Sequence, residues 1–310
     1  MTFDLRGKKI WVAGHNGMVG RALMRQLQSE HCTLLTVSRQ ELDLCNQQQV
    51  HTWMQAHKPD AIFIAAATVG GIGANMEFPA EFIYNNLAIA TNVIEAAYRA
   101  EVTKLLYLGS SCIYPRDTSQ PMAEDALLTG PLEPTNQYYA IAKIAGIKMC
   151  EAYRAQYGCN FISAMPPNLY GPDDHFNPDY AHVIPALIYK LHQAKINGEP
   201  RVSVWGTGKA KREFLYVDDL AQALVLLMRN YSEAQHINVG CGHDITIKAL
   251  VSLLADIIGY KGELYFDTSR PDGTPRKLFD ISRISALGWT PSTDLRDGLI
   301  NTYDWYVKQL

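Results

Sequence analysis

Tyr139 and Lys143 stand four residues apart in the helix-compatible stretch Tyr139-Ala140-Ile141-Ala142-Lys143. On a helix, that spacing puts a phenol and an ammonium on one face, one turn apart. A free phenol ionises near about pH 10. A fixed cation beside it favours the phenolate and draws its pKa toward the working range, which suits acid–base chemistry on a carbonyl or hydroxyl. Tyr138 is a second phenol, but the residue four places beyond it is Ala142. Upstream, Leu108-Gly109-Ser110-Ser111-Cys112-Ile113-Tyr114-Pro115 follows the apolar run 104–108. At the carboxyl end of a parallel strand, Ser110 is placed to hydrogen-bond a substrate oxygen.

A third constellation lies near the start of the chain. Gly14-His15-Asn16-Gly17-Met18-Val19-Gly20 follows a short apolar run and opens a helical pattern. Glycines at this spacing allow a tight turn, close approach of backbone to a pyrophosphate and close helix packing. The helix N-terminus adds N–H groups and a positive dipole end. The next apolar run closes with Val37-Ser38-Arg39, where folds that prefer NAD carry Asp or Glu. A guanidinium and a hydroxyl suit a 2′-phosphate, so NADP(H) is the expected cofactor. A glycine turn, a tyrosine, a serine or a surface arginine taken singly is more often structural. Their conjunction in this order is what argues for a site.

The elements that must position these groups alternate. Apolar runs at 9–13, 33–37, 61–66, 104–108 and 160–165 read as strands, and 18–29, 46–57, 79–100 and 137–157 as helices. Continuous apolar strands between helices predict a doubly wound parallel α/β sheet of the Rossmann type, covered on both faces. After residue 165, proline and glycine punctuate the chain. The expected organisation is a dinucleotide-binding domain of residues 1–165 plus 213–240, and a smaller substrate domain of 166–212 and 241–310.

With 310 residues, 47% of them hydrophobic, the chain can bury a large core. A net charge of −3 argues against general binding to nucleic acid or an anionic membrane surface. The six cysteines form no C-x-x-C pair, so no metal site or disulfide framework is expected. The first residues lack a signal-peptide core and no apolar run is long enough to span a bilayer, which together predict a cytoplasmic protein.

The glycine loop, Ser110 and the Tyr139/Lys143 pair are similar to the extended short-chain dehydrogenase/reductases. The segments Gly109–Pro115, Tyr139–Lys148, Asn168–Pro172, His182–Leu187, Arg212–Leu215 and Pro271–Lys277 further resemble the GDP-L-fucose synthase family, through essentially the whole chain. That resemblance implies 3,5-epimerisation followed by NADPH-dependent 4-reduction of a GDP-4-keto-6-deoxy sugar, in a homodimer paired through the helices at 79–100 and 137–157. It implies that Cys112 and His182 move the protons at C3 and C5, with Tyr139, Lys143 and Ser110 serving the reduction. It places the cofactor against Gly14, Asn16, Gly17, Met18, Val19, Gly20, Arg39, Leu42, Ala65, Ala66, Leu108, Gly109, Lys143, Pro166, Asn168, Leu169 and His182. It places the GDP-sugar against Ser111, Asn168, Lys190, Trp205, Arg212, Asp272 and Lys277. Asn16 and Lys190 stand where the family commonly carries arginine, Gln137-Tyr138 precede the catalytic tyrosine where Glu-Pro is frequent, and Pro167 replaces a threonine.

Other readings stay open. One is an epimerase/reductase or plain 4-keto reductase on another GDP-sugar, such as a heptose or the colitose precursor. Another is a non-catalytic dinucleotide-binding protein on the same fold, which would be expected to lack Tyr139 or Lys143.

Overall fold

Strand and helix alternate as the apolar runs predict. The computed structural model describes residues 2–177, 180–269 and 274–310. In chain order the elements are β1 (Lys9–Ala13), α1 (Met18–Leu27), β2 (Thr33–Leu35), α2 (Gln47–His57), β3 (Ala61–Ile64), α3 (Ile72–Glu77), α4 (Pro79–Arg99), β4 (Lys104–Leu108), α5 (Gln137–Tyr157), β5 (Asn160–Met165), β6 (Asn168–Tyr170) and α6 (Val183–Ile196). They continue with β7 (Arg201–Trp205), β8 (Lys211–Arg212), β9 (Phe214–Tyr216), α7 (Val217–Asn230), β10 (Ile237–Asn238), β11 (Ile245–Thr246), α8 (Ile247–Ile258), β12 (Glu263–Asp267), β13 (Arg276–Lys277), α9 (Ser282–Ala286) and α10 (Leu295–Val307).

Several boundaries differ from the expected ones for local reasons. Helix α1 stops at Leu27 because a 3₁₀ turn, Gln28–Glu30, and a left-handed His31 follow it. Helix α2 starts at Gln47 because the Asn46 side chain accepts the Gln49 N–H at 3.1 Å and caps it. Strand β2 ends at Leu35 rather than Val37, since its ladder with β1 runs only to the Trp11–Leu35 pair. Strand β3 ends at Ile64 rather than Ala66.

Six strands form one parallel sheet in the order β10-β5-β4-β3-β1-β2. Side chains alternate across it. Ile10, Val12 and Phe63 pack into the layer under α1 and α7, whereas Trp11, Ile62 and Ile64 pack under α2, α4 and α5. Both faces are therefore covered, which is why these strands read as unbroken apolar runs. Lys104 is the exception within β4: it is fully buried, and its ammonium donates to the Tyr231 carbonyl at 2.6 Å.

The remaining strands form small sheets beside the large one. β6 pairs with β9, β7 with β12, and β8 lies between β11 and β13. A separate apolar cluster joins α6, β7, α8 and α10 through Ile188, Leu191, Val204, Leu254 and Leu299. Among the described residues, no helix is long and apolar enough to cross a membrane.

Candidate active site

The chain winds outward from β1 to β2, then crosses to β3 on the other side of β1. Such a switch point leaves a crevice at the carboxyl ends of the strands. A cavity of about 620 Å³ opens there. The glycine loop lines it with Gly14, Asn16, Gly17, Met18, Val19 and Gly20. Arg39 and Leu42 line it beyond β2, Ala65 and Ala66 after β3, and Leu108, Gly109, Ser110 and Ser111 at the end of β4. Tyr139, Lys143, Pro166, Asn168, Leu169 and His182 complete this set on the same walls.

The loop fits a dinucleotide on its own geometry. Gly14 sits at φ +90°, where a Cβ would lie 2.6 Å from the Ala66 nitrogen, and a Cβ at Gly20 would lie 2.1 Å from the Gly14 oxygen. Both glycines are thus demanded by the packing of loop, strand and helix. Gly17 differs: a Cβ there would meet only the Gly14 oxygen at 3.6 Å, an ordinary contact. It is the N-cap of α1 and offers no capping side chain, and this uncapped first turn lines the cleft with Gly17, Met18 and Val19.

At the second strand the outcome is mixed. Arg39 is exposed and lines the cleft. The Ser38 hydroxyl, expected to face a 2′-phosphate, instead donates to the Glu41 carboxylate at 2.7 Å, as does the Ser38 N–H at 3.1 Å. These two hydrogen bonds hold the Glu41 carboxyl below its usual range. A carboxylate therefore does stand near the end of β2, although it is turned toward Ser38.

Helix α5 presents Tyr139 and Lys143 on one face, as the spacing requires. The Lys143 ammonium is buried, donates to the Leu108 carbonyl at 2.8 Å and lies 5.7 Å from the centre of the Tyr139 ring. Burial lowers its pKa to about 8. Tyr139 corrects the expectation of a depressed phenol. Burial pushes its pKa well up, the nearby Cys112 adds to this, and a hydrogen bond with Ser110 opposes it only in part. The phenol rests as a protonated donor. Tyr138 is exposed and does not line the cleft.

Ser110 links the groups. It caps the 3₁₀ turn Ser111–Ile113, its oxygen accepting the Cys112 N–H at 3.5 Å, and it meets Tyr139 on the other side. Cys112 is only 5% exposed and is not on the cleft wall. Burial raises its thiol pKa, against the pull of Ser110, Lys277 and Lys143. A resting thiolate, which the acid–base role suggested, is therefore not what this environment favours. His182 is the N-cap residue of α6, solvent-accessible yet walled by the cleft, and desolvation lowers its pKa. Its imidazole is neutral at physiological pH.

Lys190, Trp205, Arg212 and Lys277 do not line the main cavity. Lys190 lies over the exposed ring of Trp205, 5.8 Å from its centre. Arg212 on β8 and Lys277 on β13 are register partners in a parallel pair, close enough that Arg212 adds to the burial that lowers the Lys277 pKa. Asp272 lies outside the described residues. Asp174 and His175, which no motif singled out, also line the cleft. One Asp174 oxygen accepts the His175 N–H at 2.7 Å, the other is buried without a hydrogen-bond partner, and burial raises the carboxyl pKa to about 7. The consecutive acids after Gly171-Pro172 were the one available signal for this pair.

Comparison with known proteins places this site among relatives. Residues 10–240 match the model of the NAD dependent epimerase/dehydratase family. The chain is 55% identical over 306 residues to a GDP-L-fucose synthase of Sinorhizobium fredii, covering 99% of this chain and 98% of that one. Among solved structures it is similar to a GDP-6-OMe-4-keto-L-xylo-heptose reductase from C. jejuni, with a TM-score of 0.94, 37% identity and full coverage of both chains. A GDP-L-fucose synthetase from Naegleria fowleri bound to NADP superposes with a TM-score of 0.91 at 27% identity, covering 100% of this chain and 96% of that one.

Proposed function

The chain belongs to the NAD dependent epimerase/dehydratase family, and from that premise we propose that it converts GDP-4-keto-6-deoxy-D-mannose to GDP-L-fucose by 3,5-epimerisation and NADPH-dependent 4-reduction. What carries the reading is one juxtaposition. Tyr139, Ser110 and Lys143 meet at the end of β4, on the wall of a cleft whose other end is the uncapped N-terminus of α1. Residues 1–165 with 213–240 serve as the cofactor-binding domain, and residues 166–212 with 241–310 as the nucleotide-sugar domain. The reading includes a cytoplasmic homodimer paired through α4 and α5, helices that carry the exposed Tyr84, Tyr138 and Ile141.

The glycine loop holds the pyrophosphate, Arg39 approaches the 2′-phosphate and Lys143 holds the nicotinamide ribose. When bound, the reduced nicotinamide supplies the reducing equivalent for the C4 carbonyl. Ser110 orients the carbonyl oxygen, and Tyr139, held protonated by burial, gives its proton to the alkoxide. The 4-keto group acidifies the C3 and C5 protons. The neutral His182 is able to accept the Cys112 thiol proton; the thiolate then takes the carbon proton and the imidazolium returns one to the opposite face, so the pair inverts each centre through an enolate and is restored. Lys190, Trp205, Arg212 and Lys277 hold the GDP moiety.

Two expected outcomes follow from the cofactor side. Lys143 loses its charge as pH rises through about 8, so kcat/KM should fall along an alkaline limb near that pH. Lys143→Arg should remove the limb, since a guanidinium stays charged; an unmoved limb would assign it to another group. Arg39→Asp should raise KM for NADPH much more than KM for NADH, and equal effects would remove Arg39 from the 2′-phosphate site. The substrate is tested by turnover of a panel of GDP-4-keto sugars. Preference for GDP-4-keto-6-deoxy-D-mannose supports the reading, and preference for a heptose, the substrate type named for the C. jejuni structure, replaces it.

A further inference from the structure

Glu213 is 1% exposed, yet it sits between the segments that carry the substrate-side cations. One of its carboxylate oxygens accepts the N–H groups of Cys241 at 2.7 Å and Gly242 at 2.8 Å, and the other accepts the Phe279 N–H at 2.8 Å. Its main chain is engaged as well: its N–H donates to the Lys277 carbonyl at 3.2 Å, and its carbonyl accepts from the Asn168 side chain at 3.2 Å. The preceding residue, Arg212, is the register partner of Lys277. One buried side chain therefore ties the 241–242 turn and the segment leaving β13 to the strand that bears Arg212.

A buried carboxylate is costly unless it is compensated, and three backbone donors offset that cost in part, burial still holding its pKa above the usual range. An apolar residue would satisfy none of those N–H groups, and an amide would present a donor to at least one of them. Arg212 and Lys277 meanwhile repel each other. Two cations held close need a rigid frame if they are to meet a diphosphate without reorganising. We infer that Glu213 is the positioning residue of that frame, setting the spacing of Arg212 and Lys277 for the two phosphates of a nucleoside diphosphate. The inference rests on the nucleotide-sugar reading above.

Glu213→Gln preserves size and every main-chain contact but sets an NH₂ group against a buried N–H. The dissociation constant for GDP should rise at least about tenfold, while that for NADPH stays nearly constant and thermal unfolding stays cooperative. Equal GDP affinity in variant and unaltered protein overturns the inference alone, as does a parallel loss of NADPH affinity, which would mark a merely structural residue. An unaltered protein with no affinity for GDP overturns the nucleotide-sugar reading with it. Hydrogen exchange on the unaltered protein gives an arm that does not depend on the variant folding. GDP should slow exchange at 240–242 and 276–279 together, and protection confined to 211–213 overturns the inference.

Discussion

Tyr139→Phe is expected to lower kcat by about 10²- to 10⁴-fold, the usual worth of a positioned proton donor. The substitution is a clean one in this setting. The ring keeps its edge-on contact with Phe82, 6.1 Å between centres, and its place 5.7 Å from the Lys143 ammonium. Only the hydroxyl is lost, and with it the hydrogen bond to Ser110. NADPH affinity should hardly change, because the glycine loop, Arg39 and Lys143 are all retained. Tyr138→Phe, on the exposed neighbouring phenol, should leave turnover as it was. Steady-state kinetics with direct cofactor titration checks both. A Tyr139→Phe variant retaining more than a tenth of wild-type kcat would mean that another group protonates the reduced oxygen.

Cys112→Ser should suppress solvent exchange at C3 and C5 by about 10²-fold or more, the lower bound expected for removing an acid–base group. The thiol is buried off the wall of the cofactor cleft, within electrostatic reach of both Lys277 and Lys143. Serine nearly matches its volume and keeps the turn, but its hydroxyl neither gives nor takes a proton readily at neutral pH. With NADP⁺ bound to prevent reduction, deuterium uptake by the 4-keto sugar isolates the exchange. NADPH binding should persist in the variant. Uptake at the wild-type rate would remove Cys112 from the chemistry and leave His182 to work with a different partner.

The local parts of this site were legible and the electrostatic parts were not. The bounds 137–157 and 160–165 coincide with those of α5 and β5, because a left-handed Gly158 ends the helix and announces itself in the chain. The glycine loop was legible because its steric demands act within a few residues and one neighbouring strand. Val37 misled because an apolar residue continues a strand pattern even where the ladder has run out. The β6–β9 and β8–β13 pairings join segments far apart in the chain, and no periodicity reports them. The phenol of Tyr139 shows the sharper limit. Spacing reveals the ammonium one turn away, but the burial that outweighs it is set by the whole fold. Asp174 was not singled out, and Glu213 stood in the Arg212–Leu215 motif without a role, for the same reason: a carboxylate's partners, or the lack of one, exist only after folding.

The most direct measurement is a single reaction in D₂O: the protein, GDP-4-keto-6-deoxy-D-mannose and one equivalent of NADPH, with absorbance followed to completion and the product examined by NMR. One NADPH should be oxidised per sugar consumed, and the product should carry deuterium at both C3 and C5. Oxidation with protium retained at both carbons would make the protein a plain 4-keto reductase, and no oxidation at all would contradict the assignment of the cleft.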